Sequence, residues 1–99
     1  MDKESKRKRI KAWENEQQAL ERAQLPLDDD VIESLFAAVD VQLNDEPCDH
    51  TRSKADAWLA SRGLDVAVVG RWLGRTGGYC DCEVVSNSKD AWLQATGRA

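Results

Sequence analysis

All three cysteines of the chain and its one histidine fall into two short pairs, Cys48-Asp49-His50 and Cys80-Asp81-Cys82, with residues 51–79 between them. Three thiolates and one imidazole form a complete tetrahedral donor set for zinc, and two chelating pairs far apart in sequence are how such a site ties two chain segments together. The pattern predicts a zinc site with Cys48, His50, Cys80 and Cys82 as its ligands. A catalytic zinc keeps one position open for water, so a site that uses all four donors is structural. Iron is the competing metal, since thiolate-rich sites accept both.

Each pair has a single intervening residue, which makes demands on the backbone. Residues i and i+2 of an extended segment point to the same side with Cα atoms about 6.6 Å apart. Sulfurs bound to zinc at about 2.3 Å must approach to roughly 3.8 Å, so the side chains have to converge. Gly77 and Gly78, just upstream, allow the chain to bend for this. Cys48 and His50 immediately precede a predicted helix, whose N-terminal N–H groups and dipole favour thiolate over thiol. Asp49, Asp81 and Glu83 are either partners that orient His50 or solvated turn acids. Tyr79 is placed to cover the site from water.

Two other uses of these residues compete with zinc. Cys80 and Cys82 could form a strained bond or lose a metal on oxidation, as in a thiol redox protein or sensor. Either could also be a nucleophile activated by His50, but no Ser/His/Asp set, phosphate-cradling glycine loop or Walker motif accompanies them, and enzymatic activity is not favoured. An odd cysteine count argues against a disulfide framework in a cytoplasmic protein.

The elements that must position these residues are mostly helical. Lys3 to Gln24 contains no Pro or Gly, and Ile10, Trp13, Gln17 and Leu20 recur at helical spacing up to Pro26. Asp28, Asp29 and Asp30 offer a cap and favourable charge to a second helix with Ile32, Leu35, Phe36, Val39 and Leu43 on its core face. A third helix runs from near Thr51, its cap, to Arg62, burying Ala55, Trp58 and Leu59 and stopping at Gly63. Asp65 caps a fourth, with Val66, Val69, Trp72 and Leu73 inward and Gly70 weakening it by about 1 kcal/mol relative to Ala. Residues 79–85 alternate like a short extended segment, and Trp92 and Leu93 mark a short helix in a tail of partial order.

The predicted fold class is therefore mainly α, a small three- to four-helix domain with one short extended segment. Its parts are a basic N-terminal helical arm (1–25), a helical metal-binding domain (26–87) and a C-terminal tail (88–99). The net charge of −4 is split unevenly. The arm carries seven Lys/Arg against five Asp/Glu, and the remainder seven against thirteen. Lys6, Arg7, Lys8, Arg9 and Lys11 could serve a nucleic-acid accessory protein, but the acidic body makes nucleic acid the poorest candidate partner. No apolar run approaches the roughly 20 residues needed to span a bilayer, and the basic start has no apolar stretch behind it like that of a secretory signal. A cytoplasmic location follows as an expectation, with a protein partner or a second copy of the chain as binding candidates. A core this small leaves a net stability of about 5 to 15 kcal/mol at best. A structural zinc can add roughly 10 kcal/mol of binding energy coupled to folding.

The blocks Cys48-Asp49-His50-Thr51, Trp58-Leu59, Arg62-Gly63-Leu64-Asp65, Trp72-Leu73 and Gly77-Gly78-Tyr79-Cys80-Asp81-Cys82-Glu83-Val84 resemble a small bacterial family of unknown function over residues 28–86. The resemblance implies metal ligands at Cys48, His50, Cys80 and Cys82 and supplies no activity. A looser similarity is to the SWIM-type zinc finger, in which the Cys-x-Cys pair precedes the Cys-x-His pair. The order is reversed here, so that similarity supplies only a precedent for one-residue spacers around zinc.

Overall fold

The computed structural model describes residues 16–98 with the exception of Gln18. Ile10, Trp13 and the basic cluster of the predicted arm lie outside the described residues. Residues 19–23 are helical, and Leu20 is more than half exposed.

Helix α1 (Asp29–Asp45) carries the predicted stripe, with Ile32, Leu35, Phe36 and Val39 all buried. Asp28 stands at its N-cap in extended conformation, and its carbonyl accepts from Val31 and Ile32, but its carboxylate makes no capping bond. The acidic first turn acts instead through its charge on the dipole and through Asp29, which accepts the Trp92 indole N–H at 3.3 Å and pairs with Arg22 at 3.1 Å.

Helices α2 (Ser53–Ser61) and α3 (Val66–Arg75) close over α1 with Ala55, Leu59, Val69, Trp72 and Leu73. Between them Gly63 takes a φ of 68°, with nothing within 4 Å of a Cβ placed there, so backbone conformation alone calls for glycine. Asp65 caps α3 as predicted, accepting from the Val68 N–H at 3.0 Å. Trp58 stays half-buried instead of joining the core, with the Arg62 guanidinium 5.0 Å from its ring centroid.

The predicted extended segment is not there. The chain is extended at Cys80 (φ −139°, ψ 169°), turns helical in α4 (Asp81–Glu83), runs unbroken through a π-helical segment (Val84–Ser88), and continues as α5 (Lys89–Ala95). No strand occurs among the described residues, and a lone strand would have left its backbone unpaired. The wider π turn presents Asn87 and Ser88 together to the C-terminal end of α3, where carbonyls lack intrahelical partners. Asn87 donates to the Gly77 carbonyl at 3.0 Å and Ser88 to the Leu73 carbonyl at 3.3 Å, with the Thr76 and Ser88 hydroxyls 2.7 Å apart. Gly78 is wedged between, where a Cβ would collide with the Ser88 hydroxyl.

The short helix expected around Trp92 and Leu93 forms as α5, and residues 88–98 are packed more firmly than a tail of partial order. Trp92 and Ala95 are buried, and the Trp92 ring centroid lies 5.8 Å from that of Phe36. The indole buries a large apolar area while its N–H finds Asp29, which is how a Trp can enter a core. A boundary at residue 87 therefore falls within one continuous helix.

Candidate metal centre

Two polar side chains tie the loop before α2 to the loop and helix that follow α3. Asp81 is fully buried, and its carboxylate accepts the Lys54 and Ala55 N–H groups at 3.1 and 3.0 Å. Its own N–H donates to the Thr51 carbonyl at 2.9 Å. It thus performs the capping predicted for Thr51: the N-cap position of α2 is Arg52, and the Thr51 hydroxyl accepts only from the Ser53 N–H, at 3.2 Å. Arg52 makes the return tie, donating to the Gly70 carbonyl at 2.7 Å and the Gly78 carbonyl at 3.3 Å. A Cβ on Gly70 would stand 3.1 Å from that guanidinium, so the glycine that weakens α3 also admits Arg52.

These ties connect the sequence neighbours of the Cys48/His50 pair and of the Cys80/Cys82 pair. Around Cys48, hydrogen bonding with the main chain of Cys82 and of His50 outweighs the burial of the sulfur, and the Cys82 and Cys80 side chains add to it. Those donors hold the Cys48 thiol below its ordinary value. The Cys80 sulfur accepts the Glu83 N–H, which pulls its value down, yet burial and the bonds of its thiol to Cys48 and Glu83 leave it raised. Cys82 is raised first by its thiol's bond to Cys48, then by burial and neighbouring negative charge. All three cysteines are free; Cys48 and Cys80 are half-buried and Cys82 is exposed.

His50 takes part through its main chain. Its φ of 68° lies in the left-handed region, its N–H faces the Cys48 sulfur, and the residue is exposed. Asp49 and Asp81 do not orient the imidazole. The Asp49 carboxylate takes the Thr51 hydroxyl at 2.6 Å and the Thr51 N–H at 3.0 Å, which together hold it below the usual carboxylate range. Among the described residues, no group of three or more His, Cys, Asp or Glu side chains is arranged to hold a metal ion. The segments that carry the predicted ligands Cys48, His50, Cys80 and Cys82 lie side by side, tied by Asp81 to Thr51 and to the first turn of α2, but their side chains do not form a ready metal-holding group. Tyr79 does not cover them; it is 70% exposed and leans toward Gly74.

Sequence reasoning missed Arg52 altogether and left Asp81 undecided between a ligand-orienting residue and a turn acid. One signal was available for Asp81. The first turn of α2 offers N–H groups that its own flanking residues do not all satisfy, and a nearby carboxylate is the usual solution.

The fold defines a small helical domain that carries a Cys/His pair on a loop and a Cys/Cys pair at a helix start. The chain belongs to the family described as Protein of unknown function (DUF2695), whose model matches residues 35–87 and so spans both cysteine pairs. It is 37% identical over 86 residues to uncharacterized proteins of Mycobacterium tuberculosis and Mycobacterium bovis, an overlap of 87% of this chain and 87% of each relative. No solved structure matches the chain.

Proposed function

We propose that the domain is a structural zinc-binding interaction module of a cytoplasmic protein, with Cys48, His50, Cys80 and Cys82 holding the metal. The observation that carries this reading is that Asp81 and Arg52 hold side by side the two segments, some thirty residues apart in sequence, that bear three free thiols and the histidine. The donor set fits: three sulfurs suit a borderline-soft ion, N–H donors stabilise thiolate charge, and an exposed imidazole next to Cys48 is the available fourth donor. Bound zinc would fasten the loop between α1 and α2 to the start of α4, adding to the ties of Asp81 and Arg52. No helix among the described residues is long and apolar enough to cross a membrane. A protein surface is the proposed partner, and Tyr79, exposed beside Cys80, is the side chain offered to it.

Native mass spectrometry of protein purified without added metal, with elemental analysis of the same sample, tests the proposal. The expected result is one zinc per chain, removed by chelation with a fall in melting temperature and lost in a Cys48→Ser variant. Metal at background level, with thiols that titrate identically with and without chelator, overturns it.

A further inference from the structure

We infer that a second copy of the chain docks in the groove between α1 and α5, forming a twofold dimer in which Asp40 of one protomer faces Lys89 of its partner. The groove has a volume of about 410 Å³. Its floor is apolar, with Ala37 and Val41 from α1 and Leu93 from α5, backed by the Phe36 and Trp92 rings. Ala37 is exposed, and Val41 is 61% exposed. Valine is a poorer helix former than alanine, so its place on the open face of α1 is not explained by the helix itself.

The two walls of the groove carry opposite charge. Glu33 and Asp40 stand on α1, two turns apart and so on one side of the helix, and Lys89 and Arg98 stand opposite. Asp29, at the start of α1, holds the Trp92 indole at 3.3 Å and the Arg98 guanidinium at 3.8 Å. That contact sets α5 antiparallel to α1, with Arg98 toward the Glu33 end and Lys89 toward the Asp40 end. Helix α1 contains no Lys or Arg, so neither acid has a helical neighbour of opposite charge. Among the described residues no ion pair engages Glu33, Asp40 or Lys89.

A face built this way is complementary to itself. A twofold axis along the groove exchanges its walls, laying the acidic side of each copy on the basic side of the other at the same height. Asp40 then meets Lys89, Glu33 meets Arg98, and every contact is made twice. The same rotation brings the two apolar floors together and covers Val41. The face shares no residue with either cysteine pair, so dimerisation requires no metal.

Sedimentation equilibrium of the full-length chain over the micromolar range, with and without chelator, tests the inference. The substituted side chains are exposed, and circular dichroism melts establish that each variant folds. The parent is expected to dimerise in both conditions. Asp40→Lys alone and Lys89→Glu alone each create two like-charge contacts and should raise the dissociation constant by about tenfold or more. Mixed in equal amounts, the two variants regain opposite charges at both contacts and should associate as a heterodimer. Val41→Ser removes apolar contact and should weaken the dimer as well. A parent that stays monomeric throughout, its groove left to another protein or to residues 1–15, overturns the inference. So does a dimer that both charge variants leave unaltered, or a pair of weakened variants whose mixture remains monomeric.

Discussion

Replacing Asp81 with alanine removes two hydrogen bonds from a fully buried carboxylate to the first turn of α2. Hydrogen bonds to charged groups contribute about 1.5 to 3 kcal/mol each, and a donor left buried without a partner adds to the loss. Lys54 is half-buried, so water can partly rehydrate its N–H, and removing the carboxylate also relieves the desolvation of a fully buried charge. These offsets favour the lower end of the range, a destabilisation of about 3 kcal/mol. For a domain of this size, about 1 kcal/mol lowers the melting temperature by roughly 4–8 °C, so Asp81→Ala should melt at least about 12 °C below the parent. Asp81→Asn keeps one acceptor and should lose about half as much. Thermal and urea unfolding followed by circular dichroism in chelator would measure both, with an unchanged urea slope showing that only stability has altered. If Asp81→Ala melts within about 3 °C of the parent, the buried carboxylate does not tie the two segments, and the metal-independent juxtaposition of the cysteine-bearing segments loses its support.

The two glycine sites should separate backbone from packing effects: Gly63→Ala, with open space around its Cβ but a φ of 68°, should lose about 1 kcal/mol. Gly78→Ala, pressed against Ser88 and Val84, should lose about 2 kcal/mol or more in the same urea assay, and equal losses would contradict the packing described. Trp92→Phe keeps a ring beside Phe36 but loses the bond to Asp29, and a destabilisation of about 1–2 kcal/mol is expected; an unchanged urea midpoint would refute that role. Asp49 is held below the usual carboxylate range by Thr51, so its contribution is complete above that range and is lost as pH falls through the lowered folded value. Asp49→Asn should accordingly flatten the acid limb of the melting temperature against pH, and parallel curves would count against the assignment.

What the sequence makes legible is what local pattern controls. The Ile32, Leu35, Phe36 and Val39 stripe, the Asp65 cap and the Gly63 stop are written within a few residues of where they act. Residues 79–85 mislead because Tyr79-Cys80-Asp81-Cys82-Glu83-Val84-Val85 alternates for reasons unrelated to a strand. Asp81 is inward because α2 needs its carboxylate, and Val84 is inward because it reaches the core. The short helix around Trp92 is legible locally, but its packing into the core is not, because its partners Asp29 and Phe36 lie some sixty residues earlier. At the site, residue types single out Cys48, His50, Cys80 and Cys82, and the ties of Asp81 and Arg52 bring their segments side by side. Neither tie is legible in the spacing, because each joins groups far apart in sequence, and the positive φ of His50 is a further detail that no spacing rule contains.

The π segment also sets the rotational phase of everything after it. An α-helix advances about 100° per residue, so deleting one residue from Val84–Ser88 and relaxing the turn to α would rotate α5 by about that angle relative to α4. Either Asp81 would remain on α2 while Trp92 swung away from Phe36, or Trp92 would remain in the core while the two later cysteines turned away from the loop that carries Cys48. The interval from Asp81 to Trp92 thus behaves as a fixed-length coupling between the Asp81 tie and the core, one in which substitutions are far easier to absorb than insertions or deletions.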